Sequence, residues 1–299
     1  MKFKKARVND LDIFYRQAGN PANPAILLLH GFPTSSFLFR DLMRDLEDHY
    51  YLVAPDYPGF GQSSFPSVTE FEYTFDNLAS VMEDFIGVLG LTSMSLYVMD
   101  YGAPIGFRIA ANHPEWIDAL IVQNGNAYEG LETFWDPTYW KNNRTPADEC
   151  RPGEPCMLGK TYWRYANGVR NVENLSPDTW ALDQALLNRP GHDDVQFQLF
   201  TSYRATPPLY PAWQAYFRQH QPPMLIVWGR NDCVFPPAGA RPYLRDLLHA
   251  ELHLLNTGHF VLEEDHTTVA RLMDDFLTRK VPQACGNSRQ LVQAAYHWH

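Results

Sequence analysis

Two kinds of apolar pattern run along this chain. Arg7 to Tyr15 alternates apolar and polar positions about Asn9-Asp10, which predicts an opening β-hairpin. The later runs are short and unbroken: Ala25 to Leu29, Tyr51 to Ala54, Met94 to Met99, Ala119 to Val122 and, after a long gap, Met224 to Trp228 and Glu251 to Leu255. Runs this continuous suit strands covered on both faces. Between the second and third, Leu78, Met82, Phe85 and Leu89 recur at helical spacing, and a further helix is predicted from Ala103 towards Asn112. Strand and helix in alternation predict an α/β fold: a mostly parallel sheet with helices on both faces.

The long gap reads as an insertion. Roughly Asn126 to His220 holds five of the eight tryptophans, lacks buried-strand runs and reads as helices broken by loops, as expected of a helical cap over the C-terminal edge of the sheet. The organisation expected is a core formed by 1–125 and 221–281, a cap formed by 126–220, and a tail of 282–299 where the periodicity fades.

Composition narrows the class. With 299 residues, 45% hydrophobic and 19% charged, the chain can bury a sizeable core. A net charge of -10 argues against a nucleic-acid partner, which calls for clustered Lys and Arg. The chain begins without a signal-like apolar run and contains no apolar stretch long enough to span a membrane, so a soluble, cytoplasmic protein is expected; the oligomeric state stays open. None of the four cysteines has zinc-like spacing, and neither metal nor cofactor is expected. Cys150 and Cys156 flank a Pro-Gly turn and either pair or remain free thiols.

Four chemistry-bearing elements stand at predicted strand ends. Asp100 follows the Met94 to Met99 run and precedes Tyr101-Gly102-Ala103-Pro104-Ile105-Gly106, a strand-to-helix elbow with Gly102 two residues on and the bulkier Val98 two before. By itself such an Asp is equally a helix cap. Leu29-His30-Gly31-Phe32-Pro33 is a turn that would bring the backbone N–H of Phe32 beside that of Tyr101 as an oxyanion hole. Asp232 lies behind the Met224 to Trp228 run, and His259 in Asn256-Thr257-Gly258-His259-Phe260 follows the next. Nucleophile, acid and histidine in this order fit a triad in which the acid orients the imidazole.

In these motifs the chain resembles the aspartate-nucleophile branch of the α/β-hydrolases, which comprises epoxide hydrolases and haloalkane and haloacetate dehalogenases. The likeness covers about Val8 to Phe276 and includes Asp56-Tyr57-Pro58-Gly59-Phe60-Gly61-Gln62-Ser63-Ser64 and His113-Pro114-Glu115. A carboxylate, with a reference pKa near ~3.9, is already anionic at neutral pH and can attack an sp³ carbon to form an alkyl ester. His259, oriented by Asp232, would then activate the water that hydrolyses it. The branches differ in how the leaving group is stabilised. The resemblance implies a Trp directly after the nucleophile in haloalkane dehalogenases, with an Asn or Trp elsewhere, whereas this chain has Tyr101 there and Phe32 where Asn is frequent. Epoxide hydrolases use two cap tyrosines, and Tyr203 in Thr201-Ser202-Tyr203-Arg204-Ala205-Thr206 matches the second. Tyr139 is the candidate for the first, with Tyr128 and Tyr162 as rivals; Phe32 and Trp135 are candidates to touch a small hydrophobic organic substrate. The expected activity is therefore epoxide opening, with a dehalogenase and a non-catalytic binding protein as alternatives.

Overall fold

The computed structural model describes residues 1–129 and 161–281. Every predicted strand forms. The hairpin pairs β1 (Lys2–Val8) with β2 (Leu11–Ala18) antiparallel, and β3 (Ala25–Leu29), β4 (Tyr51–Pro55), β5 (Met94–Met99), β6 (Ile117–Gln123), β7 (Met224–Gly229) and β8 (Glu251–Leu255) complete an eight-stranded sheet in the order β1-β2-β4-β3-β5-β6-β7-β8. From β4 to β8 all neighbours are parallel. β3, β5 and β7 are buried along their whole length, as unbroken apolar runs require, whereas edge strand β8 is only half-buried.

Alternation along the strands divides the core. Leu27, Leu29, Leu96, Val98, Ile226 and Trp228 pack on one face with α2 (Phe75–Val88) and α3 (Gly102–Asn112). Ile26, Leu28, Tyr97, Met99, Leu225 and Val227 pack on the other with α1 (Arg40–Leu46) and α9 (Val261–Lys280). The predicted helical stripe is Leu78, Met82 and Phe85 on α2, with Leu89 at its C-cap.

Between β6 and β7 the described residues form α4 (Thr161–Ala166), α5 (Pro177–Leu187), α6 (His192–Tyr203) and α7 (Tyr210–His220); α8 (Tyr243–Asp246) lies between β7 and β8. This segment meets the loops that leave the C-terminal ends of the strands. Arg189 Nη1 and Nη2 donate to Gly61 O at 3.1 Å and Gly59 O at 3.2 Å in the loop after β4. Asn231 Nδ2, after β7, donates to Gly168 O at 2.9 Å. A Cβ at Gly258 would stand 2.2 Å from Asn167 O, so only glycine admits this close approach. Tyr139, Trp135, Cys150, Cys156 and the tail from 282 on lie outside the described residues.

Candidate active site

The elbow holds Asp100 with φ +51, a left-handed conformation rarely adopted by a residue with a side chain. Glycines make room for it. A Cβ on Gly31 would stand 2.3 Å from Asp100 Cβ, and one on Gly102 would stand 2.2 Å from Leu29 O. The bulky Val98 of this elbow is accommodated from the helix side, because Gly106 turns its missing Cβ towards Val98 Cγ1, at 2.4 Å.

With the turn after β3 packed this closely, the N–H of Phe32 donates to Asp100 Oδ1 at 2.8 Å and that of Tyr101 donates to the same oxygen at 2.6 Å. Both predicted oxyanion-hole donors thus converge on one carboxylate oxygen, beside the N-terminus of α3, where an anion is favoured. The other oxygen, Oδ2, faces His259 Nε2 at 3.4 Å.

His259 Nδ1 lies 2.7 Å from Asp232 Oδ2. Asp232 Oδ1 accepts from the N–H groups of Val234 at 2.7 Å and Phe235 at 3.1 Å, which fixes the carboxylate. Burial opposes the charge of His259, but Asp232 and then Asp100 outweigh it and raise its pKa to about 9. The Phe235 ring stacks on the imidazole, 5.6 Å between centroids. The three residues predicted to act together are therefore brought together, each at a strand end, and each is buried.

Asn124, which the sequence reading did not select, directly follows β6 and joins the two carboxylates. Its Nδ2 donates to Asp232 Oδ2 at 2.5 Å, its Oδ1 accepts from Gly229 N–H at 3.2 Å, and its backbone O accepts from Asp100 N–H at 3.3 Å. Like Asp100 it has a left-handed φ, +43. The available signal was its place at the end of a buried run.

The segment between β6 and β7 supplies the opposite wall. Phe200 of α6 meets Phe32 at 5.9 Å and Tyr101 at 6.2 Å between ring centroids. Tyr203 is buried against Phe75 and hydrogen-bonds Tyr210; burial, Tyr210 and the Asp100 charge raise its pKa well above the ordinary 10. The phenol of Tyr101 is buried with no hydrogen-bond partner among the described residues. Of the rival tyrosines, Tyr128 points away and donates to Asp246 Oδ2 at 2.8 Å, and Tyr162 is 49% exposed. Arg164 of α4 was also missed: its guanidinium sits over the Phe32 ring, 5.0 Å from the centroid, and its charge is opposed by burial and favoured by Asp100 and Asp232.

A family model described as the alpha/beta hydrolase fold matches residues 24–266. The chain belongs to this family. The hydrolase is 38% identical over 276 residues to an uncharacterized hydrolase of Saccharomyces cerevisiae, covering 90% of this chain and 94% of that protein. It is also 38% identical to a haloalkane dehalogenase of Mycolicibacterium paratuberculosis, covering 85% of this chain and 83% of that one. Among solved structures, haloalkane dehalogenase DbeA from Bradyrhizobium elkani superposes with TM-score 0.75 at 22% identity over 92% of this chain and 98% of that chain, a likeness of fold. Among the described residues no helix of the hydrolase is long and apolar enough to cross a membrane, and no His, Cys, Asp and Glu side chains cluster as metal ligands.

Proposed function

We propose that this hydrolase opens an epoxide to a vicinal diol through a covalent alkyl ester on Asp100, with the segment 126–220 serving as a cap over the site. The observation that carries the reading is the unequal treatment of the two Asp100 oxygens: Oδ1 is held by two backbone N–H groups, and Oδ2 is left for attack. Oδ2 attacks carbon, the ring C–O bond breaks, and the developing alkoxide takes the phenol proton of Tyr203. Oδ1 then becomes the ester carbonyl oxygen, already seated in the oxyanion hole.

Ester formation also prepares the second step. Asp100 contributes to the raised pKa of His259, and that contribution disappears once the carboxylate is a neutral ester. The imidazolium gives its proton to the Tyr203 phenolate, and the neutral ring, still oriented by Asp232, removes a proton from the water attacking the ester carbonyl. Collapse of the tetrahedral oxyanion releases the diol and restores Asp100 and the protonated His259. The diol leaves with the former Oδ2 as one of its hydroxyls.

Buried phenols, rather than a Trp next to the nucleophile, favour a leaving group that needs a proton. A second reading, organohalide hydrolysis by the same residues, is supported by the likeness to haloalkane dehalogenases. Diol and halide assays on styrene oxide, 1-haloalkanes and haloacetates separate the two; halide without diol would reverse the ranking. Tyr203→Phe is expected to slow single-turnover ester formation from styrene oxide by roughly 10- to 100-fold. An unchanged rate would remove Tyr203 from the mechanism.

A further inference from the structure

Arg164 is 5% exposed, yet its guanidinium forms no ion pair among the described residues and its Nε has no hydrogen-bond partner there. A buried charge in this condition is costly unless something supplies a partner. Its position says where that partner would be. It lies over Phe32, whose N–H binds Asp100, and it feels the charges of Asp100 and Asp232. Asp100 does not fill the need, since Oδ1 is taken by two N–H groups and Oδ2 faces His259.

We propose that Arg164 receives an anionic group of the substrate, so that the molecule opened at Asp100 is an organic acid, an epoxide bearing a carboxylate. This rests on the reading of Asp100 as nucleophile. Two features assign the carboxylate, rather than the leaving group, to Arg164. The guanidinium is a planar fork of donors that matches two oxygens side by side, whereas a departing alkoxide or halide offers one atom. Arg164 lies over the Phe32 ring and its charge is favoured by Asp232 as well as Asp100, whereas Tyr203 packs against Phe75 and hydrogen-bonds Tyr210. Phe32 and Phe200 would then line the path between the charged end and the reacting carbon.

Equilibrium binding of phenylacetate and of 2-phenylethanol tests the subsite without turnover. Wild type is expected to bind the acid at least about tenfold more tightly, and Arg164→Gln to lose roughly a hundredfold on the acid while changing the alcohol little. Arg164→Lys, which keeps the charge and loses the fork, should fall between and serves if the Gln variant does not fold. Equal binding of the two ligands by wild type overturns the proposal. So does an equal loss on both ligands in a variant that melts like wild type, because that is a packing role.

Kinetics on matched pairs, 3-phenylglycidate with styrene oxide and chloroacetate with 1-chloropropane, complete the test. A loss in Arg164→Gln confined to the acids and expressed mainly in KM is expected. An equal fall in ester formation from the neutral epoxide would make Arg164 a leaving-group donor and overturn the proposal. Acid preference in binding with no ester from any of the four would sink the nucleophile reading and leave the subsite standing; ester from styrene oxide without acid preference would do the reverse.

Discussion

The two walls of the site are built on different terms. On the sheet side Asp100, Phe32, Asn124, Asp232 and His259 all stand at strand ends, where both oxygens of Asp232 and Oδ1 of Asp100 are held by N–H groups, Asn124 or the imidazole, and Asp100 Oδ2 faces His259 Nε2 at 3.4 Å. On the side supplied by α4 and α6, Arg164 Nε has no partner among the described residues. The carboxylate of Asp232 is thus fixed by its partners on the sheet side, while the buried guanidinium of the other wall keeps a donor unused among the described residues. On the proposed reading, the difference assigns the reaction type to the strand ends and the choice of substrate to the helices above them.

That division can be broken by substitutions on the two sides. The largest effect is expected from His259→Gln, which leaves Asp100 and its two N–H donors in place: ester formation should continue while overall turnover falls by about 10³-fold or more, with the ester visible by mass spectrometry of the intact protein. Loss of both steps together would mean that His259 serves the attack as well.

A smaller effect is expected from Asn124→Ala, which frees Asp232 Oδ2 from one of its two partners and leaves His259 less firmly oriented. Ester hydrolysis should slow by roughly tenfold, with ester formation changed little and the pH profile of hydrolysis displaced. An equal slowing of both steps with an unmoved profile would reduce Asn124 to a strand-end packing residue.

The smallest effect concerns the junction between the walls. Asp183 of α5 is fully buried and accepts from Tyr165 at 2.5 Å, and Tyr165 stacks on Phe260, the neighbour of His259, at 4.0 Å. Burial raises the Asp183 pKa from the ordinary 3.8 to about 7. The folded protein thus holds this proton more tightly than the unfolded chain, so the associated stability is complete below about pH 4 and is lost as pH rises to about 7. Asp183→Asn, with nothing to ionise, should lose less stability over that interval than wild type, by a few degrees in Tm. Parallel melting curves across the interval would show that Asp183 does not report on the junction.

How much of this was legible in the sequence follows the same division. The sheet was readable because strands buried on both faces are dominated by apolar residues; β8 was read as a run of the same kind, but as an edge strand carrying Glu251 and His253 it is only half-buried. Asp100, Asp232 and His259 were readable because chain order fixes which strand end each occupies. Asn124 shared that property and was passed over because an amide has no reactive role of its own. Arg164 gave little warning: it sits in Thr161-Tyr162-Trp163-Arg164-Tyr165-Ala166, where Tyr162 and Trp163 are 49% and 40% exposed, and a charged residue between exposed aromatics ordinarily faces water. Which residues of a short helix turn inward depends on how it docks, and helical spacing alone does not say. Tyr101 was read only through its backbone, while its side chain proved to be the buried neighbour of Arg164.

The central claim, attack on carbon by Asp100, is tested most directly by a single turnover in water enriched in oxygen-18, with enzyme in excess over styrene oxide or, should halide be the leaving group, a 1-haloalkane. If Asp100 forms the ester and water attacks its carbonyl, the first product carries an unlabelled oxygen from Asp100 and the peptide containing Asp100 gains the label. Label in the product of that first turnover, with none in the peptide, would mean that water attacks the substrate directly and would contradict the account.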